Sequence, residues 1–294
     1  MTSADLDTIS DAVSTSDVLS SGGAAKALRL SFHDCVGGCD GCLNLDDEDN
    51  AGLEDIVTSL EAVYADNNFS ELLSRADFWA YTGILAVERS VKTNNRNCVS
   101  DDCSVTTPVF NFQYGRVDCD TAPSTDANVG HPGSNLDYDG LIAYFEDNFG
   151  FNENETVALM GAHTLGGASR ANSGHAGSWV TGERAWFNKN YYSIMIDAAN
   201  AWTQTDISSR NEDAIYQWNS DAGFMLNADM AIYKDIQVDS TGMSACTYDD
   251  CTASPTADLV DTYAGSNDVW MDDFVAVFTK MINHGTFTLM DLDA

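Results

Sequence analysis

Basic residues are scarce in this 294-residue chain, which has 13 Lys and Arg against 46 Asp and Glu and a formal net charge of −33. A surface this acidic repels phosphate backbones and anionic lipid headgroups, which excludes nucleic acid and membrane surfaces as partners. The sequence also lacks an apolar run of about 18 residues, so no transmembrane helix is expected. The partners that remain are metal ions, basic proteins and neutral or positive small molecules.

Proline is rare, with four residues, and neither a fixed-period repeat nor much strand-like alternation is present. Apolar residues instead recur at the spacing of amphipathic helices. Eight segments have this spacing: 24–34, 52–64, 76–91, 138–148, 154–165, 190–202, 222–235 and 269–283. Polar loops separate them. The pattern predicts one mainly α-helical domain over residues 1–294, and its long loops indicate a bound cofactor or ion.

Eight cysteines are present, and two pairs of them are close in sequence. Cys98 with Cys103, and Cys246 with Cys251, each enclose four residues in Asp-rich stretches. A zinc site would need four clustered ligands, which neither pair has nearby in sequence. The spacing therefore predicts two short-loop disulfides. Disulfides of this kind predict an oxidised, secreted protein.

The segment Arg29-Leu-Ser-Phe-His33-Asp-Cys places an arginine and a histidine four positions apart. On a helix the two side chains project from the same face, one turn from each other. A histidine that moves a proton beside an arginine that stabilises negative charge suits acid–base work on a small polar substrate. A partly exposed arginine and a hydrogen-bonded core histidine are the structural alternative.

A second histidine lies on the apolar face of another predicted helix. Val157, Met160 and His163 share that face, and Gly166-Gly167 ends the helix. A histidine in such a setting is typical of a haem-iron ligand, and equally of a satisfied core histidine. His33 and His163 are two of only five histidines and lie 130 residues apart. Two different helices could therefore enclose one bound group.

Both segments, their order and their spacing resemble the plant, fungal and bacterial haem peroxidase superfamily. R-L-S-F-H-D-C resembles its distal helix and A-L-M-G-A-H-T-L-G its proximal helix. N-A-G-L at 50–53, S-R-A-D-F-W-A at 74–80 and G-R-V-D at 115–118 follow in the expected order, and the resemblance covers about residues 20 to 285. It implies a mainly α fold of about ten helices around a buried haem b, stabilised by disulfides and calcium.

The resemblance also implies a distal half at about residues 1–150 and a proximal half at about 151–294. In the secreted plant enzymes a short disulfide flanks the calcium loop, and Cys35–Cys39 resembles it. Cys42–Cys119 is then the long bridge. The other two connectivities of these four cysteines remain open.

On the distal side, the resemblance implies that His33 takes a proton from hydrogen peroxide and delivers it to the leaving oxygen. Arg29 stabilises the departing hydroxide and then the ferryl oxygen. Asn50 accepts the proton on the other nitrogen of His33, which fixes the tautomer. Phe32, which faces the cofactor, stands where the intracellular class has a tryptophan and so resembles the secreted classes.

On the proximal side, the resemblance makes His163 the axial ligand of the iron and Asp229 the buried carboxylate that bonds it. Trp179, in N-S-G-H-A-G-S-W, resembles the proximal tryptophan of cytochrome c peroxidase and ascorbate peroxidase. Its indole is expected to lie against His163, to donate its N–H to Asp229 and to hold an oxidising equivalent as a radical. A plain packing role for Trp179 is the alternative.

Two cation sites are implied by the same resemblance. The ligands of a distal calcium are the carboxylates of Asp34 and Asp40 and the backbone carbonyls of Val36 and Gly38. A second, proximal cation is left open, because an asparagine stands where the family has an aspartate. The residues matched to that site are Thr164, Thr181 and Asn188.

The sequence thus predicts a secreted haem b peroxidase that reduces hydrogen peroxide through a ferryl plus a radical and oxidises small donors, phenolic or similar, by one-electron steps. One alternative is a cytochrome c-type peroxidase that oxidises a basic redox protein through a Trp179 radical. Another is a secreted, acidic calcium-binding scaffold without catalysis. The presence of Arg29, His33, His163 and Asp229 argues against the scaffold.

Overall fold

The structure is a computed structural model that describes residues 1–20, 22–99, 103–120, 130–209, 214–285 and 287–293. These residues form eleven α-helices and five short strands. The chain divides into two compact units. The first comprises Met1–Thr93, Thr107–His131 and Phe278–Ala294, and the second comprises Asn94–Thr106 and Pro132–Val277. No helix within the described ranges is both long and apolar enough to cross a bilayer.

The first unit is built from four N-terminal helices and the C-terminal segment. The helices are α1 Ser3–Thr15, α2 Gly23–Val36, α3 Glu54–Asp66 and α4 Arg75–Asn97, whose last turn belongs to the second unit. A capping box starts α1, in which the Thr2 side chain accepts from the Asp5 backbone N–H and the Asp5 carboxylate accepts from Thr2. An isolated antiparallel β-bridge between Tyr114 and Met290 joins the C-terminal segment to the rest of this unit.

Close packing holds α2, the helix that carries Arg29 and His33, in the first unit. A Cβ atom at Gly83 of α4 would lie 2.6 Å from the Ser31 hydroxyl on α2, so only glycine allows this approach. A fully buried ion pair nearby joins Arg116 Nη1 to Asp77 Oδ1 at 2.7 Å. Burying such a pair is tolerable because both groups also bond to backbone atoms.

The second unit contains the remaining helices and all five strands. Its helices are α5 Tyr138–Phe149, α6 Glu153–Met160, α7 Arg170–Ser173, α8 Asn190–Ile196, α9 Asn227–Ala231, α10 Ala257–Gly265 and α11 Asn267–Ile282, which ends in the first unit. Strands β1 Gly167–Ala168 and β2 Gly177–Ser178 pair antiparallel. Strands β3 Thr203–Asp206, β4 Tyr216–Ser220 and β5 Gly223–Met225 form an antiparallel sheet in that order, with Trp218 opposite Met225.

All eight cysteines are paired in disulfides. Cys98–Cys103 and Cys246–Cys251 confirm the pairs that the spacing predicts. Cys35–Cys39 and Cys42–Cys119 are the pairs that the family resemblance implies, and the alternative connectivities are wrong. The mainly helical, disulfide-linked fold class is therefore confirmed. The single-domain organisation over residues 1–294 stays a prediction.

Candidate active site

In the first unit, hydrogen bonds fix the orientation and the tautomer of His33. Its Nδ1 lies 2.7 Å from Oδ1 of Asn50, and the amide of Asn50 donates from Nδ2 to the Asn44 carbonyl at 2.8 Å. Because that second bond leaves only the oxygen of Asn50 facing the ring, Nδ1 carries the proton. The nitrogen available as a base is therefore Nε2.

Arg29 faces this basic nitrogen from one helical turn away. Its Nε donates to Nε2 of His33 at 3.1 Å. Its two terminal nitrogens donate to the backbone carbonyls of Ala51 at 3.0 Å and Asp49 at 2.6 Å. The guanidinium is thus held in position by the backbone of residues 49–51. Positive charge is placed next to the atom that would take a proton from a substrate.

Burial lowers the pKa of His33 well below its ordinary value of 6.5, and the charges of Arg29 and His131 lower it further. The hydrogen bond to Asn50 opposes this by stabilising the protonated ring. The net effect is a neutral imidazole over a wider pH range than usual. A neutral ring is the form that can accept a proton.

His131 is a site residue that the sequence analysis missed. Its ring lies 4.3 Å from that of His33 at an interplanar angle of 33°. Its side chain is 4% exposed, and Nδ1 is 3.8 Å from Oδ2 of Asp49. Phe32, on the other hand, packs edge-on against His33 with centroids 5.6 Å apart. The only signal for His131 in the sequence is the scarcity of histidine.

In the second unit, His163 lies in a short 3₁₀ turn, Gly161–Thr164, that continues α6. A capping box between Asn152 and Glu155 starts α6. The Nδ1 atom of His163 is 2.7 Å from Oδ1 of Asp229, which leaves Nε2 as the free ring nitrogen. The side chain is 34% exposed although residues 156–160, the last part of α6, are buried.

Asp229 is fully buried near the start of α9 and accepts three hydrogen bonds. Oδ1 accepts from His163 and, at 2.8 Å, from the hydroxyl of Tyr191, while Oδ2 accepts from the Leu226 backbone N–H at 2.7 Å. Three donors compensate for the loss of hydration of a buried carboxylate. Tyr191 was not predicted, because its approach to Asp229 depends on how α8 and α9 pack.

Trp179 stacks on His163 as the resemblance implies. The rings are nearly parallel, at 6°, with centroids 4.0 Å apart, and Trp179 also stacks on Phe224 at 4.2 Å. However, no hydrogen bond joins the indole to Asp229 among the residues that the structure describes. The expected indole N–H bond is replaced by that of Tyr191. Trp179 therefore contacts His163 through its ring face.

Of the two aspartates matched to a distal calcium, Asp34 lies in the last turn of α2 and Asp40 in the loop that follows, near enough for its charge to act on Asp34. Oδ1 of Asp34 accepts from the Gly41 backbone N–H at 2.8 Å, whereas its Oδ2 is buried and has no hydrogen-bond partner. Burial and the charge of Asp40 raise the pKa of Asp34 well above 3.8. Val36 and Gly38 lie in the turn between the two aspartates. A buried oxygen without a donor fits a cation ligand.

The residues matched to a proximal cation come together only in part. The Thr164 hydroxyl donates to Oδ1 of Asn188 at 3.3 Å, and Nδ2 of Asn188 donates to Asn94 at 2.9 Å and to Glu183 at 3.2 Å. Thr181 is exposed, with its backbone N–H on the Ala222 carbonyl. The Asn188 side chain is therefore already satisfied by protein groups.

The residues of the second unit fit a haem iron. An imidazole whose Nδ1 is held by a carboxylate and whose Nε2 is free matches the donor set of a histidine-ligated iron. The adjacent indole supplies an apolar wall. The residues present therefore fit the cofactor that the resemblance implies.

The sequence matches the family model described as Peroxidase over residues 7–265. A heme-binding peroxidase of Yarrowia lipolytica is 27% identical over 275 residues, which is 89% of this chain and 78% of that protein. A mitochondrial cytochrome c peroxidase of Candida albicans is 29% identical over 72% of this chain and 47% of its own length. One from Neurospora crassa is 26% identical over 80% of this chain and 54% of its own length.

The chain therefore belongs to the peroxidase family, within the haem peroxidase superfamily, and is a haem-dependent peroxidase. It spans about half of the cytochrome c peroxidases that it matches. The expectation of a secreted protein is wrong, because the relatives whose names state a compartment are mitochondrial. Disulfide pairing shows that cysteines are oxidised and does not by itself identify the compartment.

Proposed function

We propose that this peroxidase uses His33 as the proton-transfer group for hydrogen peroxide and oxidises small donors, phenolic or similar, by one-electron steps. The observation that supports it is the chain of contacts from Asn50 through His33 to Arg29. This chain sets one nitrogen of His33 as a base and places a cation beside it. A histidine that only packs in the core needs no cation beside its basic nitrogen.

In this mechanism Nε2 of His33 takes a proton from hydrogen peroxide and returns it to the departing oxygen, which leaves as water. Arg29 stabilises the negative charge that develops on that oxygen before the proton arrives. Asn50 keeps the ring oriented while its charge changes. The haem, when bound, supplies the electrons that reduce peroxide.

In the second unit, Nε2 of His163 would bind the iron. Asp229 holds the ring and makes it a more basic ligand, because a carboxylate attracts the Nδ1 proton. Tyr191 shares the same carboxylate oxygen and so limits this effect. Trp179 keeps the ring plane fixed by stacking.

We include one calcium ion in the proposal, with Asp34 and Asp40 as carboxylate ligands and Val36 and Gly38 as carbonyl ligands. The buried, unpartnered Oδ2 of Asp34 supports it. Because α2 carries His33 directly before Asp34, a cation here would also fix the base. The satisfied side chain of Asn188 gives no comparable support for a proximal cation.

A basic redox protein is the second candidate for the donor. The names of two of the relatives state cytochrome c, the chain carries a net charge of −33, and Trp179 stacks on His163. A mitochondrial location would accompany this candidate. The absence of a hydrogen bond from the Trp179 indole to Asp229 counts against a stabilised Trp179 radical. A hydrogen-bonded carboxylate would stabilise the positive charge of an indole radical cation.

The donor is tested by steady-state turnover with hydrogen peroxide and either a phenol or a reduced, basic cytochrome c. We expect the phenol to be oxidised efficiently, and Trp179→Phe to change its rate little. Faster turnover with the cytochrome, abolished by Trp179→Phe, would instead establish the protein-oxidising alternative.

A further inference from the structure

Three buried tyrosines of the second unit form a chain that starts near the ligand histidine. The Tyr191 ring lies 6.3 Å from that of His163, Tyr192 lies 5.0 Å from Tyr191, and Tyr263 lies 5.3 Å from Tyr192. The probability of electron tunnelling falls exponentially with distance, so neighbouring rings at these separations exchange electrons readily. The chain joins α8 to α10.

The hydroxyl partners distinguish the members of this chain. Tyr191 donates to the fully buried carboxylate of Asp229, whose same oxygen also bonds His163. Tyr192 donates to the Val157 carbonyl at 2.6 Å, and a carbonyl does not take up a proton. Tyr263 donates at 2.7 Å to Oδ2 of Asp273, an exposed carboxylate on α11. A tyrosine that loses an electron becomes strongly acidic and must give its proton to a base. Tyr263 has such a base, and that base is in contact with solvent.

The local environment keeps Tyr263 protonated until it is oxidised. The residue is fully buried, and burial followed by the hydrogen bond to Asp273 raises its pKa. Loss of the electron is therefore tied to transfer of the proton along one short hydrogen bond. Without Asp273 the oxidised ring would have to remain a buried cation, which is unfavourable.

We propose that Tyr263 is a second oxidation site, reached from Tyr191 through Tyr192, at which donors that do not reach the haem are oxidised. The proposal rests on the proposed function, which supplies the oxidising equivalent from peroxide. Tyr263 gives one electron to the chain and its hydroxyl proton to Asp273, which leaves a neutral tyrosyl radical and a protonated carboxyl group. An external donor then returns one electron, and the proton moves back to Tyr263.

The charges around Tyr263 define the class of donor. Residues 257–277 contain five aspartates and no lysine or arginine. One cation, Lys189, donates to the Ala264 carbonyl at the end of α10. A negative surface favours neutral or cationic one-electron donors over anionic ones. Tetramethylphenylenediamine and ferrocyanide are suitable probes of opposite charge.

The test uses electron paramagnetic resonance of the haem-loaded protein frozen after peroxide treatment, with spin-trap adducts located by mass spectrometry. Tyr263→Phe removes the hydroxyl and keeps the ring, and Asp273→Asn replaces the base at an exposed position. The matched controls are Tyr248→Phe, a buried tyrosine bonded to the Met195 carbonyl, and Asp272→Asn, the neighbouring exposed acid.

We expect a tyrosyl signal and a Tyr263 adduct in the wild type and both controls, and loss of most of each in Tyr263→Phe and Asp273→Asn. Both variants should lose more turnover with the diamine than with ferrocyanide. Equal signals in all five proteins, or a wild type without a tyrosyl signal, would overturn the proposal. If the wild type consumes peroxide normally in that case, the proposed function stands. A wild type that does not consume peroxide would overturn both.

Discussion

At the residue scale, His33 and His163 are held in the same way and differ in the group that holds them. Each uses Nδ1 in a 2.7 Å hydrogen bond and so has Nε2 as its unprotonated nitrogen, which in His33 accepts from Arg29 at 3.1 Å. The partner of His33 is a neutral amide, which lets the ring gain and lose a proton. The partner of His163 is a carboxylate, which favours a permanently metal-bound ring. The difference between Asn50 and Asp229 therefore supports the separate roles that we propose for the two histidines.

Substitution of the distal residues should slow the reaction with peroxide without loss of haem. We expect His33→Leu to reduce the second-order rate constant by at least ~10²–10⁴, the usual contribution of a general acid–base group. Asn50→Val should have a smaller effect, since it removes only the orienting bond. Stopped-flow absorbance measures both, with Asn67→Val, an exposed asparagine, as control. Wild-type rates in His33→Leu would exclude the assignment of the base.

The pH dependence of the same rate constant follows from the lowered pKa of His33. The base works only when neutral, so the rate should stay constant as the pH falls through 6.5 and decrease only at lower pH. Removing a positive neighbour raises the pKa of a histidine. The inflection should therefore move upward in Arg29→Leu. An inflection at or above 6.5 in the wild type would be inconsistent with the environment described for His33.

Sequence patterns found the residues that share a motif and missed those that meet only in space. Arg29 and His33 are one helical turn apart, so their contact follows from spacing. Tyr191 and Asp229 are 38 positions apart, and their bond arises where α8 meets α9. The expected bond from Trp179 to Asp229 was wrong for the same reason, because a tyrosine from another helix reached the carboxylate.

At the element scale, the last turn of α2 carries both His33, the proposed base, and Asp34, a ligand of the proposed calcium site. Asp34 directly follows His33, and its buried Oδ2 lacks a donor. A bound cation would satisfy that oxygen and reverse the rise in the pKa of Asp34, since a positive charge stabilises the carboxylate. Loss of the cation should loosen the C-terminal turn of α2.

Removal of calcium should therefore lower the thermal stability of the protein. A ligand present at a hundred times its dissociation constant stabilises the folded state by about 2.7 kcal/mol. Unfolding followed by circular dichroism, with and without a chelator, measures the change, and added calcium should restore it. Asp40→Asn should weaken the response and Asp46→Asn, at an exposed position, should keep it. Identical unfolding temperatures in all conditions would rule the site out.

The elements themselves were predicted best where the apolar pattern is long. The spacing predicted α2, α3, α4, α5 and α11, whose buried faces repeat over three or more turns. It missed α1, which buries only Leu6, Ile9 and Val13, and α10, which lies in an Asp-rich stretch predicted as a loop. The helix predicted over 222–235 is instead β5 followed by α9, because Gly223–Met225 pairs with β4.

At the scale of the whole molecule, the net charge of −33 is the main feature that the candidate active site does not explain. Charge of one sign attracts ions of the other and acts over about 10 Å at 0.1 M salt. It favours cationic donors, whether small molecules or a basic protein. Composition thus limited the class of partner, whereas the compartment inferred from cysteines was wrong.

The central claim is that His163 binds the iron of a haem through Nε2. Titration of the haem-free protein with hemin, followed by the Soret band, tests it most directly, with His163→Ala compared with the wild type and with His284→Ala as a control at a histidine outside the site. We expect stoichiometric binding and a strong Soret band in the wild type and the control, and a weakened or shifted band in His163→Ala. A Soret band unchanged by His163→Ala, or no binding by the wild type, would contradict the claim.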